Sequence, residues 1–360
     1  MKFTLIQTPS EFDALAGDWN ALLAESITDA PFLRHEYLRV WWQTRGGGEW
    51  PRAELAVVTA SDDGRLTGIA PLFFTENRDG QPALMLLGSI EISDYLDVIA
   101  RPGDLPAFID GLLDFLAQPG LGLWRRAEPR SGLIEEPVGA LSKPWRALDW
   151  YNIPEISPTL PVLKAEAEKR GLAFTEERVY HAPYIPLPGN FEVYLAAIDK
   201  KQRHEIRRKM RRLAEYGEPV RWYIVEDGSV LDAEVDALFR LMEQDPAKAA
   251  FLTEAMRTQI RATVHAAFRA GWLQLSFLEV GGEKAAANLN FDYDNRIWGY
   301  NSGVGHRFME LSPGWVLLGN LLQWANEHMR SEYDFMRGNE AYKYRFGAAD
   351  RFVVRVKIAQ

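Results

Sequence analysis

The sequence contains no cysteine among its 360 residues. Disulfides, thiolate nucleophiles and cysteine metal ligands are therefore excluded. None of the six histidines pairs with another at metal-ligand spacing on a helix, so we expect no metal site. No apolar run approaches the roughly 18 residues of a membrane span, and the start lacks a signal-peptide core. These absences favour a soluble, cytoplasmic protein.

Several catalytic and nucleotide-binding signatures are also missing. The sequence has no Gly-x-Ser-x-Gly elbow and no P-loop, and Phe308 occupies the position where a dinucleotide fingerprint beginning at Gly303 requires glycine. Hydrolase, nucleotide-hydrolysing and nicotinamide chemistry are therefore unsupported. With 41 basic and 50 acidic residues the net charge is -9, which disfavours nucleic-acid binding over the whole surface and leaves room only for a local basic patch.

Hydrophobic residues make up 47% of the chain, enough for the cores of two domains of ordinary size. In the first half, Thr8-Pro9-Ser10-Glu11 has the N-cap, first-turn proline and glutamate that begin a helix. A loop or insertion is predicted at residues 124–144, because this stretch contains prolines, glycines and mixed charges and shows no helical or strand periodicity. The predicted elements are a strand at 2–6, helices to 25 and at 34–44, strands at 53–60, 66–74 and 83–87, and a helix at 105–116.

The second half repeats this order more clearly. The predicted elements are a strand at 220–225, helices at 231–243 and ending at 271, strands at 272–280, 285–293 and 297–301, a helix at 313–329, and strands at 333–336 and 353–358. This order resembles that of a GNAT acyltransferase domain. We therefore predict an α/β (α+β) fold of tandem GNAT-like units, each a mixed, mostly antiparallel sheet flanked by helices. Residues 1–160 would form a degenerate N-terminal unit and residues 161–360 the acyltransferase domain.

The run from Asp334 to Gly347 combines a short apolar strand with ionisable and aromatic side chains. Asp334, Arg337 and Lys343 provide an acid, a fixed cation and a titratable amine, with Tyr342 beside them. Such a set suits an enzyme that handles a developing negative charge. The alternative is that Asp334 and Arg337 form a buried ion pair that holds the end of the strand.

A second candidate site precedes the helix predicted at 313–329. Ser312, Pro313 and Gly314 provide an N-cap, a first-turn proline and a glycine without a side chain, so backbone amides at the positive end of the helix remain approachable. Together with Gly303 and Gly305 just before it, this turn predicts a phosphate site for a cofactor. The alternative is an ordinary helix start.

A basic helix is predicted at 199–212, where eight Lys and Arg minus two acids give a local charge of +6. Arg203, Arg207 and Arg211 lie on one face at spacings of four residues. This stripe could bind phosphates of a nucleotide cofactor or of RNA, and Arg207 is the residue we assign to substrate. The alternative is a solvated helix paired with acidic neighbours.

The first half contains Ser93-Asp94-Tyr95-Leu96-Asp97, with two carboxylates close to an aromatic ring. Carboxylates at a strand edge can bind an amine or act as a base, so Asp94 and Asp97 are candidate substrate ligands. The alternative is that both are turn-forming aspartates.

Taken together, the chain resembles GNAT-type acyltransferases of the CelD (cellulose-biosynthesis) group, which are similar to the Fem peptidyltransferases. The resemblance covers nearly the full length, and its most specific landmark is the run from Asp334 to Gly347. It implies two GNAT units, a thioester donor such as acyl-CoA or acetyl-CoA, and an amine acceptor. In Fem-like proteins a lysine in an aromatic-Lys-x-x-Phe-Gly context is tied to catalysis, and here it corresponds to Lys343. The remaining landmarks are Trp41-Trp42, Ser93 to Asp97, Asn152-Ile153-Pro154 with Ser157-Pro158, Arg203 to Leu213 and Ser312-Pro313-Gly314.

We therefore predict an N-acyltransferase that passes an acyl group directly from a thioester to an amine of a small molecule or of a cell-envelope or polysaccharide precursor, since no cysteine or activated serine is available for a covalent intermediate. Asp334 would position or deprotonate the amine, and Arg337 and Lys343 would stabilise the oxyanion. One alternative is a Fem-like aminoacyltransferase that uses charged tRNA. Another is a catalytically silent module that binds a glycan or peptide. The residues assigned to the cofactor are Gly303, Gly305, Ser312 and Gly314, and those assigned to the substrate are Asp94, Asp97, Arg207 and Tyr342.

Overall fold

The computed structural model describes residues 1–118 and 145–359. The loop or insertion predicted at 124–144 lies outside the described residues. Contacts divide the chain into a first unit, Met1–Val179 together with the residues from Val353 onward, and a second unit, Tyr180–Phe352. This division differs from the predicted boundary after residue 160, because residues 161–179 and the last strand of the chain pack with the first unit.

The first unit begins with a strand and three helices, followed by short strands and the α4 and α5 helices. Its elements are β1 (Lys2–Ile6), α1 (Pro9–Ala14), α2 (Ala16–Leu23), a 3-10 turn (Pro31–Leu33), α3 (His35–Thr44), β2 (Glu54–Leu55), β3 (Val57–Asp62), β4 (Arg65–Ala70), β5 (Leu72–Glu76), β6 (Pro82–Leu86), β7 (Ile99–Ala100), α4 (Leu105–Leu116), β8 (Ala147–Pro154), α5 (Thr159–Lys169) and β9 (Ala173–His181).

The second unit contains longer strands and the longest helices. Its elements are β10 (Tyr184–Pro186), α6 (Phe191–Ala197), α7 (Lys200–Ala214), β11 (Val220–Ile224), a 3-10 turn (Gly228–Val230), α8 (Leu231–Met242), α9 (Pro246–Phe251), α10 (Glu254–Arg269), β12 (Leu273–Val280), β13 (Glu283–Tyr293), β14 (Arg296–Val304), a 3-10 segment (His306–Leu311), α11 (Pro313–Glu327), β15 (Glu332–Asp334) and α12 (Ala341–Arg345). The last strand, β16 (Phe352–Ala359), returns to the first unit.

The strands of the first unit form two sheets. One has the order β1-β3-β4-β7 and the other β2-β5-β6-β8-β16-β9. In the larger sheet β6 and β8 are parallel, with Ala83 opposite Ala147, and β16 is antiparallel to β8. The C-terminal strand therefore completes the sheet of the first unit, which explains why the sequence order of the elements does not give the division into units.

The second unit is built on one six-stranded sheet of order β10-β15-β14-β13-β12-β11. Strands β11 to β14 form an antiparallel meander, and β15 is parallel to β14. Helices cover both faces, because a Cβ on Gly303 would lie 2.6 Å from Leu241 of α8, while the next residue, Val304, contacts Gly314 of α11. The mixed, mostly antiparallel sheets flanked by helices confirm the predicted fold class.

Four predicted element boundaries change. The first helix breaks at Leu15 into α1 and α2, and the strand predicted at 66–74 divides at Pro71, which has no N–H to give, into β4 and β5 of different sheets. Strand β14 continues through Gly303 to Val304. The strand predicted at 333–336 ends at Asp334, and the charged run beyond it contains the short helix α12.

Candidate active site

A cavity of about 380 Å³ lies in the second unit where β14 and β15 part. The two strands pair only as far as Trp298 and Asp334, and β14 continues for six more residues. Ligands of open sheets bind beyond the carboxyl ends of parallel strands at such a point. The cavity is lined by Lys248, Asn288, Asn290, Gly299, Tyr300, Asn301, Ser302, Val304, Gly314, Trp315, Leu318, Tyr333, Phe335, Arg337, Glu340, Tyr342, Lys343 and Phe346.

The free edge of β14 forms one wall of this cavity. Its register against β13 shifts, since Asn301 is opposite Leu289 and Gly299 is opposite Asn290, which leaves Tyr300 as the extra residue of a β-bulge. A bulge bends its strand and redirects the adjacent side chains, and bulges are common next to active sites. The edge from Gly299 to Val304 therefore offers backbone groups to an extended ligand in the way that an edge strand accepts a peptide.

The N-terminus of α11 forms a second wall. Ser312 has a left-handed backbone, with φ of 54°, and its side chain makes no capping hydrogen bond. The first amides of a helix have no partner within the helix, so they suit a phosphate group. Gly314 lines the cavity, and a Cβ there would lie 2.8 Å from Cγ2 of Val304, so only glycine leaves the backbone open. Of the predicted cofactor residues, Gly314 reaches the cavity and Ser312 lies just outside its lining.

Gly303 and Gly305, also predicted to contact the cofactor, have packing roles instead. Gly303 lies in β14 against the backbone and side chain of Leu241, and the N–H of Gly305 donates to the carbonyl of Ala285 at 2.8 Å. Neither residue lines the cavity. Glycine is needed at Gly303 because α8 approaches the strand too closely for a side chain.

Asp334 is fully buried and lies outside the cavity lining. Its Oδ1 accepts from the Met336 N–H at 2.6 Å, and its Oδ2 lies 3.4 Å from Nη1 of Arg351. Arg351 also pairs with Glu332 at 2.8 Å. This arrangement favours the alternative of a structural ion pair over the predicted proton transfer, and Arg351 is one partner of the buried carboxylate.

Arg337, predicted to be catalytic, and Tyr342, predicted to bind substrate, both line the cavity. The guanidinium carbon of Arg337 lies 4.9 Å from the ring centroid of Tyr180, which holds the side chain on an aromatic face. The ring of Tyr342 meets Phe335 edge to face at 5.9 Å, and burial raises the pKa of its hydroxyl. Both residues therefore lie at the cavity, and their roles remain predictions.

Lys343 lines the cavity, but its ammonium group is occupied. The side chain is 3% exposed, and Nζ donates to the carbonyls of Arg337 and Gly338 at 2.9 Å and of Met336 at 3.4 Å. It also pairs with Glu340 at 2.9 Å. An ammonium has only three protons to donate, so these acceptors use its capacity. The geometry indicates that Lys343 holds the loop carrying Arg337, rather than contacting an oxyanion itself.

Lys248, which no sequence pattern indicates, reaches the cavity from α9. Its Nζ donates to the carbonyl oxygen of Ser302 at 2.5 Å and lies 3.1 Å from the Ser302 hydroxyl. Burial lowers the pKa of this lysine, and the charges of Asp245 and Glu340 partly oppose that effect. No periodic or motif signal identifies it, because its neighbours in sequence form an ordinary capped helix start.

A buried polar network forms the floor of the cavity. The Tyr333 hydroxyl donates to Oδ1 of Asn290 at 3.3 Å, and Nδ2 of Asn290 donates to Oε1 of Gln274 at 2.9 Å. Buried amides need such partners. A signal was present in the sequence, since Asn288 and Asn290 alternate on one face of an otherwise apolar strand. Such a polar face on a central strand indicates a site rather than core.

Asp97, a predicted substrate ligand of the first unit, is fully buried and saturated with hydrogen bonds. Its carboxylate accepts from the hydroxyls of Thr28 at 2.8 Å, Ser157 at 2.5 Å and Thr159 at 2.7 Å, and from the Val98 N–H at 2.8 Å. Burial raises the pKa of Asp97, while these donors act in the opposite direction. Asp94 is also buried, at 4% exposure. The prediction that Asp97 binds substrate is corrected to a structural role, because these four donors already occupy both oxygens of the carboxylate.

Arg207, the remaining predicted substrate residue, is exposed on α7 and outside the cavity lining. It pairs with Glu192, and Arg203 donates to the carbonyl of Ala196 at 3.0 Å. For these two arginines the alternative of a solvated, paired helix holds. Within the described part of the chain, four other cations of α7 make no ion pair, namely Lys200, Lys201, Arg211 and Arg212.

Residues 200–344 match the family model described as an acetyltransferase (GNAT) domain. This segment contains every residue of the cavity lining except Phe346. No curated protein matches the chain. Among residues 1–118 and 145–359, no helix is long and apolar enough to cross a membrane, and no group of three or more His, Asp or Glu side chains could hold a metal ion.

Solved structures resemble the chain over its full length. FemX matches with a TM-score of 0.63 at 12% identity, covering 99% of this chain and 97% of its own. A conserved protein of unknown function from Bacteroides thetaiotaomicron VPI-5482 matches with a TM-score of 0.57 at 14% identity, covering 100% of both chains. L-PGS from Bacillus licheniformis matches with a TM-score of 0.54 at 12% identity, covering 98% of this chain and 92% of its own. At such identities the likeness shows the fold. With the family match over the cavity-bearing segment, it makes this chain an acyltransferase enzyme with the GNAT fold.

Proposed function

We propose that the second unit is an N-acyltransferase that moves an acyl group from a thioester such as acyl-CoA to an amine of a small molecule or of a cell-envelope or polysaccharide precursor. The observation that carries this proposal is the opening between β14 and β15, where a free strand edge, a helix N-terminus and a cation line one cavity. The proposal includes membership of the CelD-type group and a cytoplasmic location, which the lack of cysteine suits.

The donor fits the walls that α11 and β14 form. Its phosphates would lie at the start of α11 beside Gly314, and its extended arm along the edge from Gly299 to Val304. The Nζ of Lys209 lies 4.2 Å from the ring centroid of Trp315, so a further cation stands near this end of the helix. These features support a phosphate-bearing thioester as the donor.

In the proposed reaction the amine nitrogen attacks the thioester carbonyl carbon. A C–N bond forms and the C–S bond breaks; the amine gives up one proton, and the departing thiolate takes one. Arg337 would stabilise the oxyanion, an effect of about 3 kcal/mol for one donor in comparable sites. Glu340 lines the cavity and would accept the proton of the amine. In this version Asp334 and Lys343 keep the positioning roles that their bonds support.

Thermal shift and calorimetry with acetyl-CoA and longer acyl-CoAs test the donor. A ligand at 100 times its Kd stabilises the folded state by about 2.7 kcal/mol, so we expect a clear rise in Tm. Gly314→Ala should weaken acetyl-CoA binding by roughly tenfold, comparable with losing one hydrogen bond to a charged group. Gly217→Ala is the matched control, because a Cβ on Gly217 meets nothing within 4 Å. If no CoA thioester raises Tm at millimolar concentration, the proposal fails.

A Fem-like use of aminoacyl-tRNA is the second candidate. It is favoured by the four cations of α7 that make no ion pair in the described residues, and by the fold shared with FemX. Filter binding of tRNA at 50 and 200 mM salt tests it, since each neutralised phosphate contributes about 0.7 to 0.9 to the slope of log affinity against log salt. A tRNA affinity that is absent at low salt, or unchanged in a variant with all four cations replaced by glutamine, rejects this candidate. The family match to an acetyltransferase domain argues against a silent binding module.

A further inference from the structure

The outward face of α7 carries a row of cations. Lys200 and Arg211 are eleven residues apart, as are Lys201 and Arg212, and eleven residues are just over three turns of an α-helix. Each pair is therefore aligned along the helix axis, and the row extends for about 18 Å. All four residues are exposed, and Ile206 is buried on the opposite side of the helix. The helix thus presents this row to solvent.

No acid pairs with this row in the part of the chain that the structure describes. The ion pairs of α7 join Arg207 to Glu192, and Arg208 and Lys209 to Glu205. Its capping residues, Asp199 and Glu215, are the acids at its two ends, so cations outnumber acids along the helix. A row of unpaired cations on an exposed surface attracts an anionic partner.

An apolar groove of about 490 Å³ lies beside the C-terminal half of α7. Its apolar lining includes Met210 and Leu213 of α7, Trp222 of β11 and Val316 of α11. Two arginines also line it. Arg221 pairs with Glu279 at 2.5 Å, whereas Arg211 belongs to the unpaired row. The groove therefore combines an apolar surface with one unpaired cation.

The groove indicates which anionic partner fits the row. Nucleic acid presents phosphates, sugars and base edges, and none of these groups complements an aliphatic surface. A phospholipid joins an anionic phosphate to an apolar chain, so its head group can pair with Arg211 while its chain covers Met210 and Leu213. Neighbouring head groups of the same bilayer then face the rest of the row. The combination favours an anionic lipid surface over tRNA.

We propose that α7 and this groove form a docking surface for a bilayer that contains anionic phospholipid. The row of cations binds the head groups, and the groove receives part of one acyl chain. The groove shares no lining residue with the cavity between β14 and β15. The inference therefore goes beyond acyl transfer and does not depend on the acyl donor.

The test measures how the full chain partitions onto sedimented vesicles, made of phosphatidylcholine alone or of equal parts of phosphatidylcholine and phosphatidylglycerol. The row variant combines Lys200→Gln, Lys201→Gln, Arg211→Gln and Arg212→Gln. Its control combines Lys2→Gln, Arg52→Gln, Arg240→Gln and Arg269→Gln. The control residues are also exposed, and their replacement removes the same charge. A difference between the two variants therefore reports the position of the charges and not their number.

An uncharged variant tests the groove. Ala214→Gln places a polar side chain in it at an exposed position, the last residue of α7. Ala14→Gln is the matched control, because Ala14 is the exposed last residue of α1. The Tm and the Kd for acetyl-CoA are measured for every variant, so that a loss of folding or of the cavity is recognised separately.

We expect the wild type to bind the mixed vesicles and not those of phosphatidylcholine alone. Each cation near an anionic surface contributes about fivefold to the partition coefficient, so the row variant should lose roughly 100-fold or more, and its control far less. Ala214→Gln should lose about tenfold, as for two methylene groups kept out of the groove. Salt of about 1 M should release the protein, since it shortens the Debye length to about 3 Å. Tm and the Kd for acetyl-CoA should stay unchanged.

Other outcomes overturn the inference. Equal binding to both kinds of vesicle, or equal losses in the row variant and its control, would show that the row does not bind head groups. Binding of tRNA that the row variant loses, without binding to vesicles, would assign the row to nucleic acid. Release by millimolar inorganic phosphate at constant ionic strength would indicate an isolated phosphate site. An unchanged partition coefficient in Ala214→Gln would reject the acyl chain in the groove. Vesicle binding without any binding of a CoA thioester would reject the proposed function and leave this inference intact.

Discussion

In the part of the chain that the structure describes, each unit contains a pair of parallel strands, and the two pairs differ in what lies beyond their ends. In the first unit, residues 87–98 follow β6 beside β8, and all of them except Glu91 are buried. In the second unit, the space beyond the paired residues of β14 and β15 is a cavity of about 380 Å³. The same strand arrangement thus supports a core in one unit and a site in the other.

Hydrogen bonds explain the difference. In the first unit Asn152 of β8 donates to the carbonyls of Ile90 and Ser93 at 2.9 and 2.8 Å, and Asp97 receives three hydroxyls. The segment 87–98 is therefore bonded to Asn152 of the strand that it covers and to the hydroxyls of three residues outside that strand. In the second unit no such insertion covers the opening between β14 and β15, which remains a cavity. Chemistry is expected where the opening stays unfilled.

The largest expected effect comes from removing the Asp97 carboxylate, which anchors residues 87–98. Asp97→Ala would leave the hydroxyls of Thr28, Ser157 and Thr159 without their acceptor, and each orphaned buried group costs about 1–3 kcal/mol. The free energy of unfolding measured by urea denaturation should fall by roughly 3 kcal/mol or more. Asp18→Ala, at an exposed position of α2, is the control. A variant that keeps wild-type stability but loses turnover would give Asp97 a functional role and undo the comparison.

Next in size is the effect of removing the guanidinium of Arg337 from the cavity. Arg337→Ala should lower kcat by about 100-fold, as for loss of one oxyanion donor, with a small change in Tm. Arg345→Ala is the matched control, because Arg345 is an exposed arginine of the same segment and does not line the cavity. Steady-state kinetics with acetyl-CoA make the measurement. Equal activity of the two variants would remove Arg337 from the site.

Lys343→Met sharpens the comparison within the second unit, since its ammonium group supports the loop at the cavity. It would leave the carbonyls of Arg337 and Gly338 without their donor, so the free energy of unfolding should fall by about 1–3 kcal/mol. Activity should fall as a consequence of the displaced loop. A normal urea midpoint together with a loss of kcat as large as that of Arg337→Ala would instead indicate direct contact with the oxyanion.

The smallest effect concerns acid stability between α4 and α5 of the first unit. Hydrogen bonds from Arg170 and Lys169, at 2.7 and 3.1 Å, lower the pKa of Asp110 from 3.8 to about 2. Because the pKa is lower in the folded state, this stabilisation is present above pH 3.8 and is lost as pH falls through about 2. Asp110→Asn should flatten the decline of Tm over that window. An identical pH profile in both proteins would show that the cluster contributes nothing.

Much of the fold could be predicted because its signals are local. The capping box of Thr8 and Glu11 forms as predicted, and β1, α4 and α8 lie within one residue of their predicted ranges. These elements depend on hydrogen bonds and apolar spacing over a few residues. The division of the strand predicted at 66–74 between two sheets, and the return of β16 to the first unit, depend on pairings that no local pattern specifies.

The segment that carries part of the candidate site could be predicted, whereas the roles of its residues remain predictions. Arg337, Tyr342 and Lys343 line the cavity. The sequence indicated this segment because a dense charged and aromatic run is rarely pure core. Their contacts could not be predicted, since the Lys343 ammonium bonds to carbonyls of a loop whose path is set by tertiary packing. Lys248 lies 54 residues from its partner Ser302. Residues so far apart in the sequence form no short motif from which their contact could be predicted.

By itself the sequence determined the element order, the absence of thiol chemistry and the segment that carries the charges, since these depend on residue type and on neighbours within a few positions. The tertiary structure decided which charged groups are already hydrogen-bonded or paired within the fold. Asp97 and Asp334 look alike in sequence to catalytic carboxylates, but distant donors occupy them, whereas Lys248 looks unremarkable and ends at the cavity. The physical reason is that burial and hydrogen-bond partners come from segments far apart in the chain, and those two quantities decide whether a charged group holds the fold or meets a substrate.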